Sequence, residues 1–226
     1  MPGRRIPLTA ALAAVLAVLS LTAACGGSDG PSLPGGPELV RKSAEAMRAV
    51  TSVAFSLETE GSPAVPVKKA TGRLSGTGDA DGTIQLSLMG TLQEIQFVLL
   101  GETVHFKGVT GGFQKMPRSQ LATIYDPSAI LDPDRGVVQL MSGAVNPRTE
   151  AAEKVDGSDA YKVSATLPHR ILVTMVPGLG QDVNGTLWID RATSRLLRAD
   201  LPMDGGKVTV AFHDYGVPVR ITAPAG

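Results

Sequence analysis

The chain has 226 residues, 19% charged and 43% hydrophobic, with Lys+Arg and Asp+Glu balanced at 21 each. Such proportions describe one or two folded domains, and the neutral balance argues against nucleic acid as a partner, as does an aromatic content of 4%. One cysteine excludes an intramolecular disulfide and a cysteine-rich metal centre, and the only histidines are His105, His169 and His213.

Arg4 and Arg5 lead an uncharged stretch, Leu8 to Ala24, made mostly of Leu, Ala and Val. A positive start, an apolar run and small residues before a cut form a secretory signal. The run is also at the lower limit of a membrane span, so a retained anchor is the plain alternative. The lone cysteine directly after Leu21-Thr22-Ala23-Ala24 favours the sharper reading. That segment resembles a bacterial lipobox, cut before Cys25 and acylated on its sulfur, with Thr22 where Leu is usual. Two or more acyl chains give stable anchoring where one is marginal. The expected division is a signal peptide over 1–24, the lipidated Cys25 with a flexible Gly/Pro tether over 25–36, and a single domain over 37–226. The domain is expected outside the cell membrane, held to it through Cys25; the Sec and twin-arginine export routes both stay open.

Pro37 to Val50 predicts a helix, with Leu39, Val40, Ala44 and Met47 on one face and Arg41, Lys42, Glu45 and Arg48 on the other. Strands then dominate. Val53, Phe55 and Leu57 alternate with small or polar residues, and Lys68 to Ser75 is a weaker candidate. Asp81-Gly82 reads as a hairpin turn. Ile84, Leu86 and Leu88 follow in period two, then Ile95, Phe97 and Leu99, then Val104 and Phe106. Gln120 to Tyr125 predicts a helical turn. Asp126-Pro127 and Asp132-Pro133 each place a cap residue before a proline, so two short helices are expected to begin there. Further strands are expected over Thr149–Val155, around Tyr161–Ala165, and over Gly185–Asp190, Leu196–Leu201 and Lys207–Tyr215. Pro168 to Val176 is a short apolar helix or turn, read either as ordinary core or as a gate at the mouth of a cavity.

The pattern is that of an α+β fold, a large antiparallel sheet with a few helices grouped on one face. A twisted sheet of this size tends to curl. A concave face covered by few, short helices need not be filled. From pattern alone a packed core is the default and an apolar cavity the alternative.

The stretch Ile124-Tyr125-Asp126-Pro127-Ser128-Ala129-Ile130-Leu131-Asp132-Pro133-Asp134-Arg135-Gly136 resembles a segment of the LppX/LprAFG lipoprotein family of actinobacteria, most like its LprG-like branch. The lipobox and Cys25, the tether, the first helix, the Asp156-Gly157 turn before Tyr161, and Thr186-Leu187-Trp188-Ile189-Asp190 follow in the same order. The resemblance implies a curved antiparallel half-barrel with helices on its concave face, enclosing an apolar cavity. It implies binding of multiply acylated lipids or glycolipids and their transfer from the inner membrane to the outer envelope, without an enzymatic activity or a cofactor. A membrane efflux transporter is an implied partner. The expected lining is Ile84, Leu86, Leu88, Ile95, Phe97 and Leu99 from strands, with Ile124, Ile130, Leu131, Val137, Leu140, Met141, Ile171 and Met175 from helices. A one-residue slip in any strand would exchange the inward set.

Other functions compete. Asp126, Asp132 and Asp134 could suggest Ca²⁺, but helix capping accounts for them and no metal site is expected. The scattered histidines lack an HExxH pairing, and no G-x-S-x-G elbow exists, which weighs against an esterase. His105 is offset by one from Val104 and Phe106 and is expected to face solvent. Gly76-Thr77-Gly78 lacks the context of a nucleotide loop, and Trp188 is expected to pack on the sheet. A surface interaction lipoprotein without a cavity is the main rival reading.

Overall fold

A computed structural model describes residues 32–88, 90–121, 127–176 and 179–225, with Leu88 described by its backbone alone. Apart from Ser32 these residues belong to one unit, Leu33–Gly226. Cys25, the signal segment, most of the tether and Ile124 lie outside the described residues.

The first helix forms as α1, Gly36–Arg48, burying Leu39, Val40, Ser43, Ala44 and Met47. Its outer face carries the pairs Arg41–Glu45 and Lys42–Glu38, each at 2.6 Å. Gly36 is required at the start. A Cβ there would stand 2.2 Å from the Pro147 carbonyl oxygen, so the helix N-terminus rests directly on the backbone of a strand.

The strands run β1 (Ser52–Gly61), β2 (Val67–Ser75), β3 (Ala80–Leu88), β4 (Thr91–Leu100), β5 (Thr103–Lys107) and β6 (Gln114–Pro117). Then come α2 (Arg118–Leu121), a 3-10 turn (Pro127–Ile130) and α3 (Val137–Ser142). The chain continues through β7 (Val145–Val155), β8 (Ser158–Leu167), α4 (His169–Leu172), β9 (Val183–Asp190), β10 (Leu196–Met203) and β11 (Gly206–His213).

The described residues form one eleven-stranded antiparallel sheet in the order β6-β5-β4-β3-β2-β1-β11-β10-β9-β8-β7. Two meanders meet at its centre, where β1 pairs with β11 from Ala54↔His213 to Gly61↔Gly206. The outer edges β6 and β7 are consecutive in sequence. The chain between them therefore crosses from one edge to the other, and it does so over the concave face. There α3 packs on α1 and α4, while α1 packs on β7 and β9. The fold is the one the alternation predicted: a large, open, curved antiparallel sheet with few helices.

Three local expectations are corrected. Asp81-Gly82 is not a turn but lies inside β3; the turn sits earlier, closed by the Ser75 N–H on the Asp79 carbonyl at 2.9 Å, with Gly78 at φ +88°. Gly82 is placed there for contact: a Cβ would meet Thr71 O at 2.2 Å and the Phe97 ring at 3.0 Å, while Asp81 is spent on an ion pair with Arg73. No helix starts at Pro133. Asp132 instead closes a turn, accepting from the Asp134 N–H at 2.8 Å, and α3 begins at Val137. His105 is buried, not solvent-facing, at 7% exposure. It sits between Val98 and Lys115 on neighbouring strands, whose side chains share its face.

Trp188 packs on the convex face as expected. Its Nε1 donates to Glu153 Oε1 at 2.7 Å, and Lys162 and Arg198 lie 5.6 and 5.0 Å from the ring centre. Tyr215 ties the end of β11 back to β10 by donating to the Leu196 carbonyl, and burial pushes its hydroxyl pKa far up.

Candidate functional site

Strand register arranges the inner face of β1–β5 into rungs. The first rung, Val53–Leu74–Ala80–Leu99–Val104, is fully buried, no member being more than 1% exposed. It closes one end of the half-barrel. The second is Phe212–Phe55–Gly72–Gly82–Phe97–Phe106, with aromatic rings flanking two glycines. A Cβ on Gly72 would meet the Phe55 ring at 2.8 Å, as one on Gly82 would meet Phe97, so both rings lie flat on bare backbone. The third rung is Val210–Leu57–Ala70–Ile84–Ile95. The fourth reaches Thr59, Val67 and Leu86. Along this series burial falls: Leu57, Ile84, Leu86 and Ile95 are only half-buried, although all are large and apolar.

They are half-buried because they face a chamber of about 450 Å³, lined from below by the second, third and fourth rungs. Its roof is Leu121, Pro127, Ile130, Val137, Leu140, Leu172, Met175 and Val176, and its far wall is Leu196, Ala199 and Leu201. Thr59 is the sole polar side chain among the described lining residues, and its hydroxyl is spent on the Val67 carbonyl at 2.7 Å. Its described lining thus offers neither charge nor free hydrogen-bond donor. Water inside it would lack the two to four polar partners it needs, while a hydrocarbon chain would meet aliphatic and aromatic surface throughout. The size falls within the ~300–1,000 Å³ of ordinary ligand sites.

Of the residues singled out from sequence, Ile84, Leu86, Ile95, Phe97, Ile130, Val137, Leu140 and Met175 line the chamber. Leu99 shares their face but stands in the closed rung, and Met141 is equally buried, packed in the core beside the chamber. Leu131 and Ile171 are half-buried against that core and do not reach the lining. The side chain of Leu88, like Ile124, is outside the described residues. Missed from sequence were the walls given by β1, β2, β10, β11 and the loop with Val65 and Pro66. The period-two signal in Phe55-Leu57 and Val208-Val210-Phe212 was present. What it lacked was the β1–β11 pairing that brings those strands together.

The charged groups near the site hold its frame. Arg118 donates to Ser128, pinning α2 to the 3-10 turn. Asp132 grips Arg135 at 2.6 and 2.8 Å. Burial alone would raise the Asp132 carboxyl, but hydrogen bonds from Arg135 and the Asp134 N–H, with the Arg135 charge, hold it below the ordinary carboxylate range. Among the described residues no group of three His, Cys, Asp or Glu could hold a metal. A shallower depression of about 620 Å³ lies on the convex side of the same glycines. Its polar groups are spent on each other, Arg73 paired with Asp81 and His213 Nδ1 2.9 Å from Asp214 Oδ2, and it is open to solvent.

An open antiparallel half-barrel roofed by short helices over a chamber whose described lining is almost entirely apolar defines a class of binding scaffold. The chain belongs to the LppX_LprAFG lipoprotein family, whose model matches residues 36–221. It is 32% identical to the lipoarabinomannan carrier protein LprG of Mycolicibacterium hassiacum, over 96% of this chain and 98% of that protein. It is 26% identical to the putative diacylated glycolipid transporter LprF of Mycobacterium tuberculosis, over 91% and 84% of the two chains. Among solved structures, LprF from Mycobacterium bovis superposes with a TM-score of 0.77 at 24% identity, covering 84% of this chain and 97% of that one. Mycobacterium tuberculosis LppX gives 0.62 at 22%, covering 82% and 97%; at those identities the likeness speaks for the fold.

Proposed function

We propose that this protein is a non-enzymatic envelope carrier that takes the acyl chains of a lipid or glycolipid into the chamber and leaves the head group at its mouth. The observation that carries the reading is the chamber itself: about 450 Å³ with one polar side chain in its described lining, and that one already satisfied. An acyl chain leaving a bilayer loses about 0.8 kcal/mol per CH₂ if water receives it, on the order of ten kcal/mol for a dozen carbons. A dry cavity offsets most of that loss, so extraction and release become nearly balanced and reversible. Aliphatic side chains with a methionine, Met175, in the roof suit an adaptable fit.

In this reading the signal segment is removed, Cys25 is acylated, and the tether holds the domain at the outer face of the cell membrane. Carriage then runs from that membrane outward, with a membrane efflux transporter as the donor; the names of the relatives and the family resemblance support a glycolipid cargo. Ile84, Leu86, Ile95, Phe97, Ile130, Val137, Leu140 and Met175 are the proposed contacts. A surface module without a cavity is disfavoured by the chamber.

Organic extracts of the protein purified from an actinobacterial host should contain acylated lipid by mass spectrometry. Folded protein repeatedly free of lipid would overturn the reading. Ile84→Trp and Leu86→Trp each place an indole in the chamber and should reduce lipid loading at least several-fold while the β-sheet spectrum is retained; unchanged loading would remove those residues from the site.

A further inference from the structure

The sheet that walls the chamber is not equally tall on all sides. β3 and β4 stay paired from Ala80↔Leu99 to Leu88↔Thr91. The next pairing, β4 with β5, stops at Gln96↔Lys107. β5 ends there, and the chain returns through 108–113 to enter β6 at Gln114. From Thr91 to Ile95, roughly 14 Å of strand, the edge of β4 away from β3 therefore has no strand beside it among the described residues. The register sets this gap at the third and fourth rungs, level with the pairs Ile84↔Ile95 and Leu86↔Gln93. It opens beside the chamber and not beside the closed first rung.

The other sides are shut. In the roof and far wall Val137, Leu140, Leu172, Leu196 and Leu201 are at most 3% exposed. Beyond the fourth rung, on the β1–β2 side, the chain over 62–66 folds in as a strap, and its Val65 and Pro66 join the lining. Hydrogen bonds pin the strap at both ends: the Ser62 N–H donates to the Gly205 carbonyl and the Ser87 N–H to the Pro66 carbonyl, each at 2.8 Å. Gly206 fits beneath it only as glycine, since a Cβ would stand 2.0 Å from the Glu60 carbonyl oxygen and 2.9 Å from Pro63. On the β3–β6 side, by contrast, the lining residues Ile84, Leu86, Ile95, Phe106, Met116 and Leu121 are all half-buried.

The described rim of the gap is polar but uncharged. Gln93 stands directly across from the lining residue Leu86 and shares a face with Ile95, two residues on. Gln114 stands across from Phe106 and shares a face with Met116. Neither carboxamide is held by a described residue. The β5–β6 connection, Gly108-Val109-Thr110-Gly111-Gly112-Phe113, has no ionisable side chain. Lys107 alternates with Phe106 and Glu94 with Ile95, so both lie on the convex face. The unpaired edge of β4 adds backbone N–H and C=O groups, which are also uncharged. We infer that this gap is the mouth of the chamber: a lateral portal where Gln93, Gln114 and the free edge of β4 hold an uncharged, hydroxyl-rich head group while its acyl chain lies on Ile84, Leu86 and Ile95. A hydroxyl both donates and accepts, as carboxamides and peptide groups do, whereas a phosphate is best held by cations. The inference rests on the carrier reading and gives that carrier a side entrance and a class of head group.

Two photoreactive probes test it in the full acylated protein held in phosphatidylcholine vesicles. One is hexadecyl glucoside with a diazirine on the sugar; the other carries the diazirine at the chain end. Labelling that excess unmodified hexadecyl glucoside suppresses is mapped by peptide mass spectrometry. The sugar probe should mark 91–95 and 108–114, and the chain-end probe should mark the chamber. Sugar labelling centred on the strap or the roof helices, or spread evenly, overturns the portal alone if the chain end still marks the chamber. A chain end that marks no chamber residue overturns the carrier reading, and the portal with it. In a second arm, hexadecyl glucoside and hexadecyl phosphate each compete with the chain-end probe. The native protein should prefer the glucoside, and Gln93→Leu should weaken the glucoside roughly three- to tenfold, the size of one hydrogen bond, with the phosphate unchanged. Equal or tighter binding of the phosphate by the native protein overturns the uncharged head group. Native affinity for the glucoside in Gln93→Leu overturns the part of that side chain in holding it.

Discussion

The halves of the sheet on either side of the β1–β11 seam are made from the same kind of strand yet do opposite things. Beside α1, which packs on β7 and β9, the strands β8 and β9 present Val163, Leu167, Leu187 and Ile189, all at 0% exposure. Across the seam, Leu57, Ile84, Leu86 and Ile95 are as apolar but half-buried, because only α2, the 3-10 turn and the ends of α3 and α4 reach over them. The difference lies in the helices, not in the strands. α1 is anchored to the β7 side by the absence of a side chain at Gly36 and cannot also cover β3 and β4. The β7–β9 side therefore supplies stability, while β1–β5, with β10 and β11 as far wall, keep apolar surface free for a ligand.

The largest expected effect tests that division. Leu187→Ala in the filled half removes a side chain with no solvent exposure and should cost about 2–5 kcal/mol in urea unfolding of lipid-free protein. Ile84→Ala, which enlarges a space already present, should cost less than about 1.5 kcal/mol. Equal costs would mean that the chamber collapses in solution and that the two halves are alike.

Gly82→Ala sharpens the comparison inside the hollow half. The added Cβ would meet Thr71 O at 2.2 Å and the Phe97 ring at 3.0 Å, so the strand must shift and the ring must move into the chamber. A destabilisation of about 1–3 kcal/mol is expected, with weaker acyl-chain binding by fluorescence titration. Native stability together with native binding would show that the flat packing of ring on backbone is incidental.

The sequence carried most of the sheet, since alternation in β1, β3, β4 and β11 is strong and the turns at Gly101, Asp156-Gly157 and Asp204-Gly205 fall where turn chemistry puts them. Asp81-Gly82 misled because a glycine needed beneath an aromatic ring looks the same, in sequence, as one needed in a turn. For the chamber, period two identified the correct face of β3 and β4 but not how far along it the hollow runs. Leu99 and Phe97 are alike in pattern; only the register with Leu74 and Ala80 reveals that Leu99 belongs to the closing rung. The walls from β10 and β11 depended on a pairing between residues more than a hundred positions apart, which no local signal encodes.

The smallest effect concerns the convex face of β10, behind the chamber's far wall, where Asp200 should affect stability and leave the ligand alone. Burial alone would raise its carboxyl pKa, but hydrogen bonds from Arg198 (2.7 and 2.9 Å) and Thr209 (3.1 Å), with the charges of Arg198 and Lys207, hold it below the ordinary range. A carboxyl depressed by folding stabilises the folded state above its unfolded pKa, near 4. That contribution is lost as pH falls through the lower folded value. Asp200→Asn should therefore cost about 1 kcal/mol at pH 7, and the difference from the native protein should shrink as pH falls from about 5 toward 2. Chemical unfolding of both proteins across that range measures it. Acyl-chain binding at pH 7 should be equal in the two, because Asp200 alternates with the lining residues Ala199 and Leu201 and points away from the chamber. A loss of binding at intact stability would mean that the polar outer face of β10 shapes the chamber on its other side.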